Sequence, residues 1–257
     1  MNTVYFWLTP QGNQLAEQLQ AHFGGTVEPK ADFAEAVRRA FADCDALVFV
    51  MATGIVVRTI APLVQSKASD PAVLVLDQRG KHVISLLSGH LGGANAMAEQ
   101  AAAYLGGEAV ITTATDVEHV PAFDLFAKEN HLTIENLEEL KYISGALVAG
   151  EPVSLCTAFL VEKNAFPETV QIQPFSETPR HACAVAIADT TESVAAPHVL
   201  YLRPKSLVLG VGCKKQIPPA HLEQCFRTFL QEHHLSLSAV EKLATIGLKR
   251  EEPAILA

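Results

Sequence analysis

The sequence predicts an α/β protein with a doubly wound, mostly parallel N-terminal sheet, a smaller middle α+β module and a partial C-terminal α/β module. Apolar runs alternate with amphipathic helical runs through the N-terminal part of the chain. The run Ala46–Met51 is apolar throughout, which is typical of a parallel strand covered on both faces. The character changes around Ala122, after which prolines and β-branched residues become frequent. We therefore divide the chain into residues 1–121, 122–205 and 206–257.

Residues 1–121 carry the regular β–α alternation, which favours an open sheet with helices on both faces. In chain order the patterns predict a strand at Val4–Leu8, a helix at Gln11–Phe23, a weak strand at Thr26–Val27, a helix capped by Asp32 and running to Phe41, a strand at Ala46–Met51, a turn at Thr53–Gly54 into Ile55–Leu63, strands at Ala72–Asp77 and Val83–Leu87, a helix at Asn95–Leu105 and a strand at Ala109–Thr112.

The other two modules are less regular. Prolines and loops mark residues 164–205 as a partly β region. The remaining patterns predict a helix at Phe123–Lys141, a strand at Val153–Val161, a strand and glycine turn at Ser206–Gly212, and helices at Pro218–His233 and Ser238–Leu243.

Four polar loops follow apolar runs: Thr53–Gly54, Asp77–Gly80, Ser88–Gly93 and Thr112–Asp116. In open α/β sheets, ligands bind beyond the carboxyl ends of the strands. We therefore expect these four loops to share one crevice.

The loop Ser88–Gly93 is the most informative stretch of the chain. A strand, a glycine-rich turn and a helix N-terminus bring backbone N–H groups together at a place suited to an anion. His90 is the best acid or base there, because imidazole exchanges protons near neutral pH. Ser88 is a weaker nucleophile, since Ser-Gly-His is not the Gly-x-Ser-x-Gly elbow of hydrolases. The alternatives are a tight turn with a capping serine, and a histidine that braces the backbone.

Other side chains suit an acidic small molecule or the handling of protons. Asp77 and Asp116 fall at the ends of predicted strands, where they are general bases, ligand anchors or loop caps. Arg58 is placed to bind a carboxylate in bidentate fashion, or to form a surface ion pair. The remaining candidates are the hydroxyls of Thr113 and Thr115, and the lysines Lys214 and Lys215 after the turn Gly210-Val-Gly212.

The composition excludes several classes of partner. A formal net charge of −9 without a long basic run argues against nucleic acid. The longest apolar stretch, Ala46–Val57, is too short to span a membrane. Five scattered cysteines without a CxxC pair indicate reduced thiols and no zinc site. With no signal-peptide pattern at the N-terminus, we expect a cytoplasmic protein without a metal site.

The chain resembles the CbiG family of cobalamin biosynthesis, the cobalt-precorrin-5A hydrolases. The similar segments are Ala52–Pro62, Asp77–Asn95, Thr112–Asp116 and Gly210–Lys215. The family has N-terminal, middle and C-terminal modules, as the composition predicts. Family members usually continue past the position that matches Ala257, so the resemblance implies a shortened C-terminal module.

The resemblance implies an enzyme that opens the δ-lactone of cobalt-precorrin-5A and releases acetaldehyde, giving cobalt-precorrin-5B. The cobalt arrives with the substrate, so no cofactor is expected. We assign His90, Asp77 and Ser88 to catalysis. Substrate binding is assigned to Thr53, Gly54, Arg58, Gly89, Gly92, Gly93, Asn95, Thr113, Thr115, Asp116, Lys214 and Lys215.

Two other functions fit parts of the pattern. A non-catalytic corrinoid carrier or scaffold would bind the tetrapyrrole without releasing acetaldehyde. A nucleotide-binding protein would use the glycine-rich turn for phosphate, but the chain lacks a P-loop and a full Gly-x-Gly-x-x-Gly turn. The oligomeric state is left open, a homodimer included.

Overall fold

The computed structural model describes residues 1–29, 31–67, 69–162 and 165–256. They form two compact units, Met1–His119 and Val120–Ala257. The division proposed near residue 206 stays a prediction. No helix within the described ranges is both long and apolar enough to cross a membrane.

The first unit is a six-stranded sheet covered by helices, which confirms the predicted α/β class. Its elements are β1 (Thr3–Trp7), α1 (Pro10–Phe23), β2 (Thr26–Val27), α2 (Phe33–Asp43), β3 (Ala46–Val50), α3 (Thr53–Ile60), β4 (Ala72–Leu76), β5 (His82–Leu87), α4 (Ala94–Leu105), β6 (Glu108–Val110) and α5 (Ala114–Val117). The strand order is β2-β1-β3-β4-β5-β6.

Local chemistry accounts for where the helices begin. At α1, the Thr9 hydroxyl accepts a hydrogen bond from the Gly12 N–H at 3.0 Å. Pro10 at the first helical position sacrifices no intrahelical hydrogen bond. Asp32 stands before α2 as predicted, but it is left-handed (φ 55°) and its side chain makes no capping bond.

Strand direction in this sheet decides where the loops lie. β1 to β4 run parallel, whereas β5 is antiparallel to β4, and β6 is parallel to β5. The carboxyl ends of β3 and β4 therefore lie at one edge of the sheet, which we call the β3–β4 edge. The carboxyl ends of β5 and β6 lie at the opposite edge, the β5–β6 edge.

Both faces of this sheet are buried, as the continuous apolar runs predict. One face packs Tyr5, Val48 and Leu74 against α1 and α4, and the other packs Phe6, Phe49 and neighbouring residues against α2 and α3. All residues of β3 and β4 are buried. This rigid centre supports the loops at both edges.

The second unit contains two sheets. The larger has the order β7-β11-β10-β8-β9, with only β7 antiparallel, and the smaller pairs β12 with β13 in parallel. The elements are α6 (Phe123–Glu129), β7 (Leu132–Ile134), α7 (Leu140–Val148), β8 (Val153–Thr157), β9 (Val170–Pro174), β10 (Cys183–Ile187), β11 (His198–Pro204), β12 (Leu207–Gly210), α8 (Pro219–Glu232), β13 (Val240–Ala244) and α9 (Pro253–Leu256), with short 3-10 turns at Leu137–Glu139, Leu237–Ala239 and Gly247–Lys249.

Two predicted helices of this unit are wrong. Phe123–Lys141 is interrupted at β7, because that short strand pairs with β11. Ser238–Leu243 is mainly strand β13, because pairing with β12 overrides its local pattern. The same region keeps large apolar side chains in solvent: Ile246 is 65% exposed, Leu248 95% and Leu256 69%.

Candidate active site

The four polar loops do not share one crevice. Thr53 and Asp77 follow β3 and β4 and lie at the β3–β4 edge, whereas His90 and Asp116 follow β5 and β6 at the β5–β6 edge. The prediction of a single crevice was wrong because it assumed that β5 runs parallel to β4. The first unit therefore has two candidate sites at opposite ends of its strands.

The loop Ser88–Gly93 at the β5–β6 edge is held by its own backbone. Ser88 has a left-handed backbone (φ 57°), and its hydroxyl donates to the Asp70 carbonyl at 2.9 Å. A Cβ on Gly92 would lie 2.5 Å from the Ser88 Cβ, so this position requires glycine. The Ser88 hydroxyl thus supports the turn, and it does not cap α4, whose N-cap is Gly93.

The first amides of α4 are already paired. The Ala94 N–H donates to the Ser88 carbonyl at 3.2 Å, and the Asn95 N–H donates to the Gly89 carbonyl at 3.1 Å. These two groups are therefore not available to an anion, contrary to the expectation for a helix N-terminus.

His90 and Asp116 form the central pair of this edge. His90 Nε2 lies 2.7 Å from Asp116 Oδ2, and the hydroxyl of Thr115 lies 3.4 Å from the same nitrogen. An ionised carboxylate only accepts hydrogen bonds, so with Asp116 ionised Nε2 carries the proton. The His90 side chain is 10% exposed and that of Asp116 is 35% exposed. Asp116 is therefore the member of the pair that solvent reaches more readily.

Asn95 and Ser85 extend the hydrogen-bond network of the His90–Asp116 pair. The Asn95 Nδ2 donates to Asp116 Oδ2 at 3.0 Å and to Thr113 Oγ1 at 3.2 Å, while the Ser85 hydroxyl donates to Asn95 Oδ1 at 2.6 Å. Asn95 is 6% exposed and Thr115 is also 6% exposed. Sequence reasoning missed Ser85, although a lone hydroxyl within the apolar run Val83–Leu87 was a usable signal.

The Asp77 carboxylate stabilises the turn between β4 and β5. Its Oδ1 accepts from the Arg79 N–H and its Oδ2 from the His82 N–H, both at 2.8 Å. Partial burial alone would raise the pKa of this carboxyl. Backbone hydrogen bonds from His82, Arg79 and Lys81 outweigh that effect, so the pKa lies below its ordinary value. A carboxylate stabilised in this way is a weak general base.

The β3–β4 edge holds a largely apolar cleft of about 640 Å³. Its lining extends from Leu8 and Thr9, after β1, past the ends of β3 and β4 to His82, and so includes the point between β1 and β3 where the strand order reverses. Thr53, Asp77 and His82 line it together with Leu8 and Ile55. Gly54 and Arg58 belong to the adjoining helix α3, where the Arg58 guanidinium donates to the Gly54 carbonyl at 3.0 Å.

Lys214 and Lys215 belong to the second unit, and both are exposed. The preceding glycines, Gly210 and Gly212, border an apolar cleft of about 660 Å³ between α8 and the small sheet. The lysines therefore stand beside a separate cleft within their own unit.

The described residues include no group of three or more His, Cys, Asp or Glu side chains that could hold a metal ion. All five cysteines are free. Burial raises the pKa of the Cys44, Cys156 and Cys183 thiols, which makes them less reactive as nucleophiles. The expectation that cobalt arrives only with the substrate stays a prediction.

Comparison with known proteins gives consistent matches along the chain. Residues 35–116 match the family described as cobalamin synthesis G N-terminal, 121–204 the cobalamin biosynthesis central region, and 207–257 the cobalamin synthesis G C-terminus. A cobalt-precorrin-5A hydrolase from Salmonella typhimurium is 36% identical over 282 residues, which cover 100% of this chain and 80% of that protein. The protein of the same name from Priestia megaterium is 34% identical over 223 residues, covering 82% of this chain and 59% of the relative.

Among solved structures, a cobalamin biosynthesis protein G homologue from Sulfolobus solfataricus aligns with a TM-score of 0.49 and 23% identity, covering 98% of this chain and 75% of that one. The sequence relationship is closer and spans the three regions described above. With 36% identity along its whole length to a curated relative, the chain belongs to the cobalamin synthesis G (CbiG) family.

Proposed function

We propose that this chain hydrolyses cobalt-precorrin-5A in cobalamin biosynthesis, opening the δ-lactone and releasing acetaldehyde. The observation that carries the proposal is the match to hydrolases of that name, at 36% identity over the whole chain. The His90–Asp116 pair at the β5–β6 edge supplies groups suited to the chemistry.

Lactone opening requires activation of water and delivery of a proton when the carbon–carbon bond breaks. We assign both tasks to the His90–Asp116 pair, with Asp116 as the member that meets water or substrate, because its side chain is the more exposed. His90 holds the Asp116 carboxylate through the 2.7 Å contact. Ser88 and Asp77 are left to structural roles, since the hydroxyl of one and the carboxylate of the other are engaged by backbone groups.

The lactone would be held by backbone groups of the Ser88–Gly93 loop beside this pair. The backbone N–H groups of Gly89, Gly92 and Gly93 are the proposed donors to the lactone oxyanion. The assignment of Arg58, Lys214 and Lys215 to the peripheral carboxylates of the macrocycle stays a prediction, as does that of Thr53 and Gly54 to substrate binding. Thr53, Gly54 and Arg58 lie at or beside the opposite β3–β4 edge, and the two lysines belong to the second unit.

The proposal needs no resident cofactor, because cobalt enters as part of the substrate. We place the reaction in the cytoplasm, where the free cysteines would stay reduced.

The test is an anaerobic incubation with cobalt-precorrin-5A, with acetaldehyde trapped and the tetrapyrrole product weighed by mass spectrometry. The wild-type chain should release acetaldehyde in equal amount to the product formed, and Asp116→Asn should lower kcat at least about 100-fold. The matched control, Asp43→Asn, changes an exposed aspartate on α2 and should retain the wild-type rate. Substrate that binds but stays intact would contradict the proposal and favour a corrinoid carrier.

A further inference from the structure

We propose that Ser85 is a positioning residue for the hydrolysis and acts through Asn95 on Asp116. This inference rests on the proposed function, and it changes the role of Asn95 from substrate binding to positioning. Ser85 would act on Asp116 through the buried Asn95 amide, which contacts both residues.

The hydrogen bonds define which way the Asn95 amide points. The Ser85 hydroxyl donates to Asn95 Oδ1 at 2.6 Å, so the opposite end of the amide presents its N–H groups to Asp116 and Thr113. A flipped amide would set an oxygen against the Asp116 carboxylate, which only accepts hydrogen bonds, so Asp116 selects this orientation. The Ser85 hydroxyl anchors the other end of the amide and so fixes the position from which Nδ2 holds Asp116 Oδ2 beside His90.

The regular alternation of side chains along β5 explains why Ser85 faces Asn95. Leu74 of β4 pairs with Ser85 and Val73 pairs with Leu87, so Leu86 is an extra residue and the alternation changes only after Ser85. Leu86 and Leu87 both pack on the face covered by α2 and α3, whereas Val83 packs on the α4 face. Ser85, two residues after Val83, shares the α4 face, where Asn95 lies.

Gly89 leaves room for the amide because it has no side chain. A Cβ at Gly89 would lie 2.7 Å from Asn95 Oδ1 and 3.0 Å from Nδ2. Any side chain at position 89 would thus push against the atom that Ser85 holds. The amide is held by the Ser85 hydrogen bond on one side, and glycine at position 89 leaves the room that it occupies on the other.

The first test compares Ser85→Ala with Ser85→Thr. Loss of the hydroxyl should lower kcat about 10- to 100-fold, because a displaced carboxylate disturbs the reacting geometry, while KM changes less than about twofold. Threonine keeps the hydroxyl on a residue type that suits a strand, so it should restore most of kcat. In an Asn95→Ala background, Ser85→Ala should have no further effect on kcat, since the amide that links Ser85 to Asp116 is already absent.

The second test exploits Gly89. Gly89→Ala should lower kcat in the wild-type background, and should cost much less when Asn95→Ala has removed the obstructed amide. If Gly89→Ala lowered kcat equally in the wild-type and Asn95→Ala backgrounds, or if Ser85→Ala kept the wild-type kcat, the positioning role of Ser85 would be refuted. The proposed hydrolase activity would not be affected by either result.

A third readout does not depend on activity. The ring N–H proton and the ring nitrogens of His90 can be followed by NMR, and Ser85→Ala should shift these signals whereas Ser85→Thr should not. If the wild-type chain releases no acetaldehyde, the proposed function fails, and unchanged His90 signals in Ser85→Ala would then refute the positioning role separately.

Discussion

Asp77 and His90 lie at opposite edges of one sheet, although only a single strand separates them in the sequence. Asp77 follows β4 and His90 follows β5, which runs the other way. A five- or six-residue strand spans roughly 17–20 Å, so the two groups cannot take part in the same proton transfer. Asp77 therefore belongs to the β4–β5 turn and His90 to the candidate active site.

Asp77→Asn should weaken folding without removing hydrolase activity. The amide has only one acceptor oxygen and no charge, so one of the two backbone N–H groups loses its partner and the other bond weakens. We expect a loss of about 1 kcal/mol in the free energy of unfolding at pH 7, a value discounted for the partial exposure of the group. Because the folded-state pKa is lowered, the stabilisation is full above the ordinary carboxyl pKa of about 4 and is lost as the pH falls through the folded-state value. Urea unfolding of both proteins across pH 3–7 measures this: the difference should shrink on acidification, and a constant difference would contradict it.

His90→Ala should lower kcat by about 100- to 10,000-fold while the chain stays folded, because the variant removes the partner of Asp116. Acetaldehyde release gives the rate, and the fluorescence of Trp7, the single tryptophan of the chain, reports folding of the first unit. His221→Ala is the control, since it changes an exposed histidine on α8. Full activity in His90→Ala would remove this residue from the mechanism.

Gly92→Ala should destabilise the first unit by about 2 kcal/mol or more, because the added methyl would overlap the Ser88 Cβ and carbonyl. Gly54→Ala is the matched comparison: its new Cβ would approach only the movable end of Arg58, at 3.3 Å, and alanine favours the helix. Trp7 fluorescence in urea measures both. Equal midpoints for the two variants would show that the Ser88–Gly93 loop is not tightly packed.

Glu135→Gln should destabilise the second unit by about 3 kcal/mol, because Arg203 is only 3% exposed and would lose its charged partner. The Arg203 Nε lies 2.9 Å from Glu135 Oε2 but is poorly aligned for a hydrogen bond, so the contribution is mainly between charges. The exposed pair of Arg227 and Glu223 gives the control, and Glu223→Gln should cost under about 0.5 kcal/mol. Thermal unfolding followed by circular dichroism compares them, and similar melting temperatures would rule out a special role for Glu135.

Much of the first unit could be predicted from local pattern. The buried strands β3 and β4 and the helix α4 have long apolar or alanine-rich runs with clear ends. The antiparallel direction of β5 could also have been predicted from the sequence. Only the five residues from Asp77 to Lys81 join β4 to β5, and a parallel crossover needs a dozen or more.

Other features depended on contacts between distant residues. β13 forms through pairing with β12, some thirty residues earlier, which its own short sequence does not specify. In the candidate site, His90, Asn95 and Asp116 were selected from sequence, but their mutual hydrogen bonds follow from the packing of two loops against α4. Ser85 was missed because a serine in a strand has many ordinary explanations.

The small β12–β13 sheet has a practical consequence for handling the purified protein. Within the described part of the chain neither strand of this sheet pairs with a further strand, and the solvent-exposed apolar side chains of Ile246, Leu248 and Leu256 follow β13 in the sequence. We expect self-association to begin at this region and to set the highest concentration at which samples stay clear. Replacing Leu248 with lysine should delay the rise in light scattering on concentration, and the same change at the exposed Val57 of the first unit should not.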